Sequence, residues 1–332
     1  MITPAKTPIL GTEEAIERLR STVHAKAKNF YAVYSSILGG IVTDPALMVL
    51  PLDDHMVHRG HGVFDTATLA NGMLYQLDQH LQRLLGSAEM ARIPLPYPPE
   101  KLRQIIIETA AASGRRDASV RYWLSAGPGG FGLGPAECVG SAFYVVVFGA
   151  EFYPASYYTE GVKVVTSTVP IKPPFFARVK STNYLPNVLV VLEAKDRGAD
   201  NGIFIDERGM IAESSNMNVA FVTKNRVFRH PPFDAILSGI TIQRMLQLAR
   251  QLVERGELGA VRIADISVAE GRDAQEMLLV GSSIKVAPVV EWDGKPIGDG
   301  RPGPVAKKLL ELWYEDVQNA TDQLVAVPYP EA

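Results

Sequence analysis

Residues 178–187, Arg178-Val179-Lys180-Ser181-Thr182-Asn183-Tyr184-Leu185-Pro186-Asn187, join a strand-like segment (162–168, then 170–174) to a helix-like one (184–197). A chain that passes from strand to helix through so short a junction must bury both kinds of element around one core. One lysine stands in the junction, with small polar residues after it and an aromatic hydroxyl four positions on. A lysine between a strand end and a helix start can be desolvated, which holds its amine neutral and nucleophilic near neutral pH. A loop lysine is ordinarily solvated, so the rest of the chain decides what Lys180 does.

Patterning predicts a helix over 12–28 with Thr12 as N-cap, strands over 31–42 and 47–51, and a helix over 79–92 that Asp78 caps. A second helix follows over 99–113 and ends at Gly114. Strands at 120–125 and 141–149 flank Gly127-Pro128-Gly129-Gly130-Phe131-Gly132. That run contains the spacing of a dinucleotide fingerprint, but the fingerprint should open a helix. Gly134-Pro135 and another strand follow instead, so a broad hairpin loop over a site is the better reading. His55, His58 and His61 invite a metal, yet Gly60 and Gly62 break the helix such spacings need.

Residues 150–160, rich in aromatics, Pro and Ser, form the expected linker between a small α/β unit (30–149) and a larger one (161–332), behind an N-terminal extension (1–29). In the larger unit short strands alternate with helices: strands at 203–206, 210–212, 218–223, 226–229, 261–263, 276–280 and 286–290, helices at 241–254 and 304–318, and a Pro-rich tail. A length of 332 residues accommodates two such cores. Net charge is −3 with both signs interspersed, which argues against nucleic acid as a partner. No apolar run is long enough to span a membrane. The single Cys138 rules out an intrachain disulfide and fits a reducing compartment. The acids among the first residues are atypical of signal or transit peptides, so a cytoplasmic protein is expected.

Three features of the larger unit join Lys180. Glu213 ends a strand among small polar residues that could donate to it. Leu237-Ser238-Gly239-Ile240-Thr241 opens a helix, where glycine lets the backbone approach and free N–H groups with the Thr241 hydroxyl suit a phosphate. Gly281-Ser282-Ser283 ends a buried strand in a hydroxyl-bearing loop, a second donor for phosphate or a substrate carboxylate. A lysine for a Schiff base, a carboxylate for a pyridinium nitrogen and a helix start for a phosphate are the parts that pyridoxal phosphate requires.

With these residues the chain resembles the class IV aminotransferases, the fold type IV pyridoxal-phosphate enzymes. It is most similar to the plant-type D-amino-acid transaminase and aminodeoxychorismate lyase group. The resemblance runs through His58-Arg59-Gly60-His61-Gly62-Val63-Phe64-Asp65-Thr66, Lys180-Ser181-Thr182-Asn183-Tyr184-Leu185-Pro186-Asn187, Asn216-Met217-Asn218-Val219-Ala220-Phe221-Val222-Thr223 and the ending Val327-Pro328-Tyr329. It implies an α/β (α+β) fold in which a small α/β domain packs on a larger one with a strand-rich pseudo-barrel core. The cofactor, pyridoxal 5′-phosphate, would lie between them in a homodimer whose sites are near the interface.

By the same resemblance Lys180 is the cofactor-linking lysine and proton carrier, Glu213 pairs with the pyridine nitrogen, and Tyr184 hydrogen-bonds the phenolate oxygen. Arg83, Gly239, Ile240, Thr241 and Ser282 match the phosphate site. The implied activity is transamination of D-amino acids such as D-alanine, with a small 2-oxo acid such as 2-oxoglutarate as acceptor. The alternatives are 4-amino-4-deoxychorismate lyase, then (R)-amine or branched-chain transamination; a non-enzymatic cofactor-binding protein on the same scaffold is a further one. The chain departs from the family at the carboxylate clamp. Arg59 stands near a usual tyrosine, Phe131 where a loop arginine is usual, and Leu133 where a histidine is usual. Arg59 is expected to supply the clamp, helped by Arg178 or Lys285, with Thr66, Phe131 and Ser283 beside the substrate; Thr66 matches a threonine of the lyase, and Arg121 lies close to the branched-chain pattern.

Overall fold

The computed structural model describes residues 7–149 and 153–330; positions 150–152 of the expected linker lie outside the described residues. Two sheets organise the chain. The first has seven strands, in the order Leu324–Ala326, Met73–Tyr75, Gly62–Ala70, Ala118–Ser125, Ala142–Phe148, Phe30–Ser35, Gly40–Val42, every neighbouring pair antiparallel. Helices Leu77–Met90 and Pro99–Ala112 cover one face, burying Leu81, Leu84, Leu102 and Ile106 against Val63, Ala67, Val120 and Val145. The Gly62–Ala70 strand alternates between buried and half-buried positions, as expected of a sheet with one covered face.

The second sheet has nine strands and is mixed. Its main path runs Ala260–Ile263, Val227–His230, Asn218–Val222, Glu276–Gly281, Lys285–Trp292, Val162–Thr166, Asn201–Ile205, Ile211–Ser214, and it curls into a half-barrel. Both its faces are buried. Along Asn218–Val222, Ala220 and Val222 meet helices Ile240–Glu254 and Pro304–Asn319, whereas Val219 and Phe221 pack with Ile203, Met277 and Trp292. Period-two alternation thus divides one apolar strand between two cores.

Several expectations are corrected. The first helix is Thr12–Ser21 with Gly11, not Thr12, as N-cap, and a separate 3₁₀ turn spans Ala25–Asn29. Residues 47–51 are not a strand; a 3₁₀ turn at Pro45–Leu47 replaces it. Residues 170–174 are also outside any strand, because the prolines there lack ladder N–H groups, and Pro174–Arg178 turns into a short helix. Asp78 does not cap its helix; Gln76, at φ 53°, precedes it and Asp78 pairs with Arg103. The tail, expected within the larger unit, instead adds Leu324–Ala326 as an edge strand to the first sheet.

Candidate active site

The Lys180 junction is held at both sides. Its carbonyl accepts the Phe64 N–H (2.9 Å), its own N–H donates to Ser87 Oγ (3.2 Å), and Ser181 bridges to Val63. Thr182 Oγ1 and Asn183 Nδ2 donate to the Gly60 carbonyl at 3.0 and 3.1 Å. Gly60 has φ 66°, and a Cβ there would fall 2.3 Å from Asn183 Oδ1, so only glycine lets the junction close on the first sheet. Lys180 therefore points between the two sheets, into a cavity of about 410 Å³.

Its amine donates to Tyr184 Oη at 3.4 Å and lies 4.8 Å from the Phe64 ring centroid. Burial, reinforced by Arg83, lowers the Lys180 amine to about 7. Burial and the facing Glu213 carboxylate raise the Tyr184 phenol. Glu213, only 7 % exposed on the Ile211–Ser214 strand, accepts the Leu237 N–H at 3.4 Å. Burial raises its carboxyl to about 7 against the pull of Lys172, the Leu237 N–H and Lys180. Glu213 lines a smaller hollow that shares Tyr184, Asn187, Asn216 and Met217 with the main cavity.

Arg83 reaches the same cavity from the Leu77–Met90 helix. Its Nε and one terminal nitrogen donate to the two oxygens of Asp65 at 2.8 Å each, and the other donates to the Ser238 carbonyl at 3.0 Å. Burial alone would raise the Asp65 carboxyl, but Arg83 and His80 hold it well below the usual range. Ser238 leads into the helix Ile240–Glu254 through Gly239, where a Cβ would meet Asn218 Oδ1 at 1.9 Å. Its first-turn amides lack intrahelical acceptors. Thr241 and Ser282 share a hydrogen bond of 3.3 Å across this corner.

Thr66 and Arg121, cross-strand partners, line the cavity together, with Arg121 Nε donating to Thr66 Oγ1 at 2.9 Å. Ser283 lines it as well. Arg59 and Phe131 do not. Arg59 is exposed and donates to the Phe131 carbonyl at 2.7 Å, and Phe131 is 61 % exposed on the loop between Ala118–Ser125 and Ala142–Phe148. That loop opens no helix: Gly127 has φ 97°, and a Cβ would lie 1.8 Å from the Gly140 carbonyl. His55 and His61 face each other through Nδ1 atoms 3.1 Å apart, and His61 Nε2 lies 2.8 Å from the Ala91 carbonyl.

The family described as "Amino-transferase class IV" matches residues 62–292, the span that carries both walls of this cavity. This chain is a class IV aminotransferase. It is 52% identical over 324 residues to the D-amino-acid transaminase, chloroplastic, of Arabidopsis thaliana, covering 97% of this chain and 86% of the relative. A D-alanine aminotransferase of Bacillus licheniformis is 26% identical over 87% of this chain and 99% of its own. Among solved structures, a T.th. branched-chain amino acid aminotransferase with pyridoxamine 5′-phosphate is similar at a TM-score of 0.83 and 25% identity, covering 90% of this chain and 99% of its own.

A class IV aminotransferase uses pyridoxal 5′-phosphate, and the residues present fit it. The buried Glu213 carboxylate and the Lys180 amine line one cavity complex, the glycine-opened helix start meets its wall through the Thr241–Ser282 hydrogen bond, and Gly239 has no room for a Cβ. Sequence reasoning missed Asp65 and Lys172. Asp65 stood inside a family motif without a role; nothing local marked Lys172.

Proposed function

We propose that this aminotransferase moves the amino group of D-amino acids such as D-alanine to a 2-oxo acid such as 2-oxoglutarate. Lys180 is the nucleophile that links the cofactor and carries the proton. Glu213 would hold the ring nitrogen and Tyr184 the phenolic oxygen; Arg83, the amides at Gly239–Thr241, Thr241 and Ser282 would hold the phosphate. When bound, pyridoxal phosphate supplies an electron sink for the charge left at the substrate Cα.

One observation carries the reading: Lys180 Nζ stands in the cavity 3.4 Å from Tyr184 Oη, where burial brings its amine to about 7, so that it can take a proton and give it back near neutral pH. Arg121 replaces Arg59 as the carboxylate clamp, since it lies on the cavity wall with Thr66 while Arg59 stands off it. Arg121 offers a planar guanidinium suited to a bidentate carboxylate. Thr66 Oγ1 supports a second reading, elimination of pyruvate from 4-amino-4-deoxychorismate, because the hydroxyl reaches the same cavity.

A homodimer belongs to the proposal. The Leu185–Asp196 helix leaves Leu185, Val188, Leu189, Val191 and Leu192 exposed, an apolar face that a second copy would cover. Val188, Val191 and Leu192 also line the cavity, so covering them would close its mouth. Among the described residues no helix is long and apolar enough to cross a membrane. A cytoplasmic location rests on the single Cys138; the Arabidopsis relative is named chloroplastic.

The deciding experiment mixes the holoenzyme separately with D-alanine, L-leucine, (R)-phenylethylamine and aminodeoxychorismate and follows the cofactor spectrum. D-alanine is expected to convert the cofactor to its amine form fastest. Pyruvate released from aminodeoxychorismate without a 2-oxo acid would replace this reading with the lyase.

A further inference from the structure

Two lysines stand near the Tyr184 ring. Lys180 Nζ is 6.0 Å from its ring centroid, and Lys172 Nζ is 5.0 Å from it. Lys172 lines the small hollow that also holds Glu213, Tyr184 and Asn187. Its placement is rigid for a local reason. It precedes Pro173 in Pro170-Ile171-Lys172-Pro173-Pro174, and a residue before proline is confined to extended backbone. Pro173 then caps the Pro174–Arg178 helix, which fixes where the lysine leaves the chain.

The groups facing Glu213 come from three segments: Lys172 from the proline-rich connection, Lys180 from the junction, and the Leu237 N–H from the turn before the Ile240–Glu254 helix. Tyr184 faces it as well, from the N-cap of the Leu185–Asp196 helix. Of the two lysines, Lys172 lines the hollow that holds Glu213, whereas Lys180 lines the main cavity. Burial lowers the Lys172 amine, and the facing Glu213 charge offsets only part of that lowering. Lys180 is the reacting amine: it gains a positive charge when it acts as base and loses it when it gives the proton back, whereas Lys172 takes no part in the proton transfer.

Resting on the assignment of Glu213 to the cofactor ring nitrogen, we propose that Lys172 is a positioning residue that favours the ionised form of Glu213 against the burial that would neutralise it. An ionised Glu213 would serve as the counter-charge of a protonated ring nitrogen while Lys180 changes its own charge. A buried carboxylate in this hollow would otherwise hold its proton, because desolvation favours the neutral acid.

The test uses pyridoxal phosphate itself, with wild type, Lys172→Met and Lys172→Arg. The spectrum of bound cofactor and its dissociation constant are followed from about pH 5 to 9. Removing an opposite charge raises the carboxyl by about one pH unit or more, so Lys172→Met is expected to bind about tenfold more weakly near pH 7. The deficit should fade toward pH 9, where Glu213 ionises unaided, and Lys172→Arg should follow wild type. If Lys172→Met fails to fold, Lys172→Gln removes the same charge. Weakening by the same factor at every pH, no weakening, or an arginine variant as weak as the methionine one would overturn the proposal. Wild-type protein that takes up no pyridoxal phosphate would overturn the Glu213 assignment beneath it, and the proposal with it.

Discussion

The two walls of the cavity treat charge in opposite ways. On the wall from the first sheet, Asp65 is locked between Arg83 and His80, and Arg121 is tied to Thr66. Facing it, Lys180 on the junction between the sheets and Glu213 on the second sheet stand outside any ion pair among the described residues, and burial drives both toward neutrality, to about 7. Paired buried charges stay ionised and hold geometry, whereas isolated buried charges sit near the pH at which they exchange protons. In the proposed reaction the first side positions the ligand and the second reacts with it.

Replacing Lys180 by Ala strikes the reactive wall and should have the largest effect. Turnover of D-alanine is expected to fall at least about a thousandfold, and borohydride should no longer fix the cofactor to the chain. A Lys180→Ala enzyme with residual turnover within tenfold would break the division between walls. Replacing Asp65 by Asn strikes the positioning wall and leaves Arg83 buried without its counter-charge. A stability loss of about 3 kcal/mol is expected from the urea midpoint. A much smaller loss would mean that the Ser238 carbonyl alone suffices for Arg83.

Arg121→Met tests the clamp. We expect about a tenfold rise in KM for D-alanine, from loss of one charge-assisted bidentate contact, and little change for (R)-phenylethylamine, which has no carboxylate. Arg59→Ala should move the ratio of the two substrates less. The reverse ranking would return the clamp to the Arg59–Phe131 loop, supplied across a subunit interface.

The smallest expected effect is a pH signature of the cofactor-free chain. Glu213, raised from 4.5 to about 7, binds its proton more tightly folded than unfolded, so its contribution falls as pH rises through that window. Lys180, lowered from 10.5 to about 7, binds its proton more weakly folded, so its contribution grows from about pH 7 to 10.5. Together they place a shallow stability minimum near neutral pH. Urea midpoints at about pH 5, 7 and 9.5 should show it, and Lys180→Met should remove the rise on its alkaline side.

Lys180, Glu213 and the Gly239 helix start were legible because each is marked by its immediate neighbours: a junction between element types, a strand end among small polar residues, a glycine opening an apolar-periodic helix. The alternation of strands and helices, and the failure of the Gly127–Gly132 run to open a helix, were legible for the same reason. What the sequence settled by itself is therefore local: backbone propensity, periodicity and the residue types at element ends. The tertiary structure decided the pairings. Asp65 becomes the anchor of Arg83 from 18 residues away, Arg121 meets Thr66 across 55, and the tail crosses from one unit to the sheet of the other. It also carried Arg59 and Phe131 off the cavity wall and brought Lys172 up to Glu213. A charge has one energy in water and another beside a buried partner, and only the folded chain determines which partner that is.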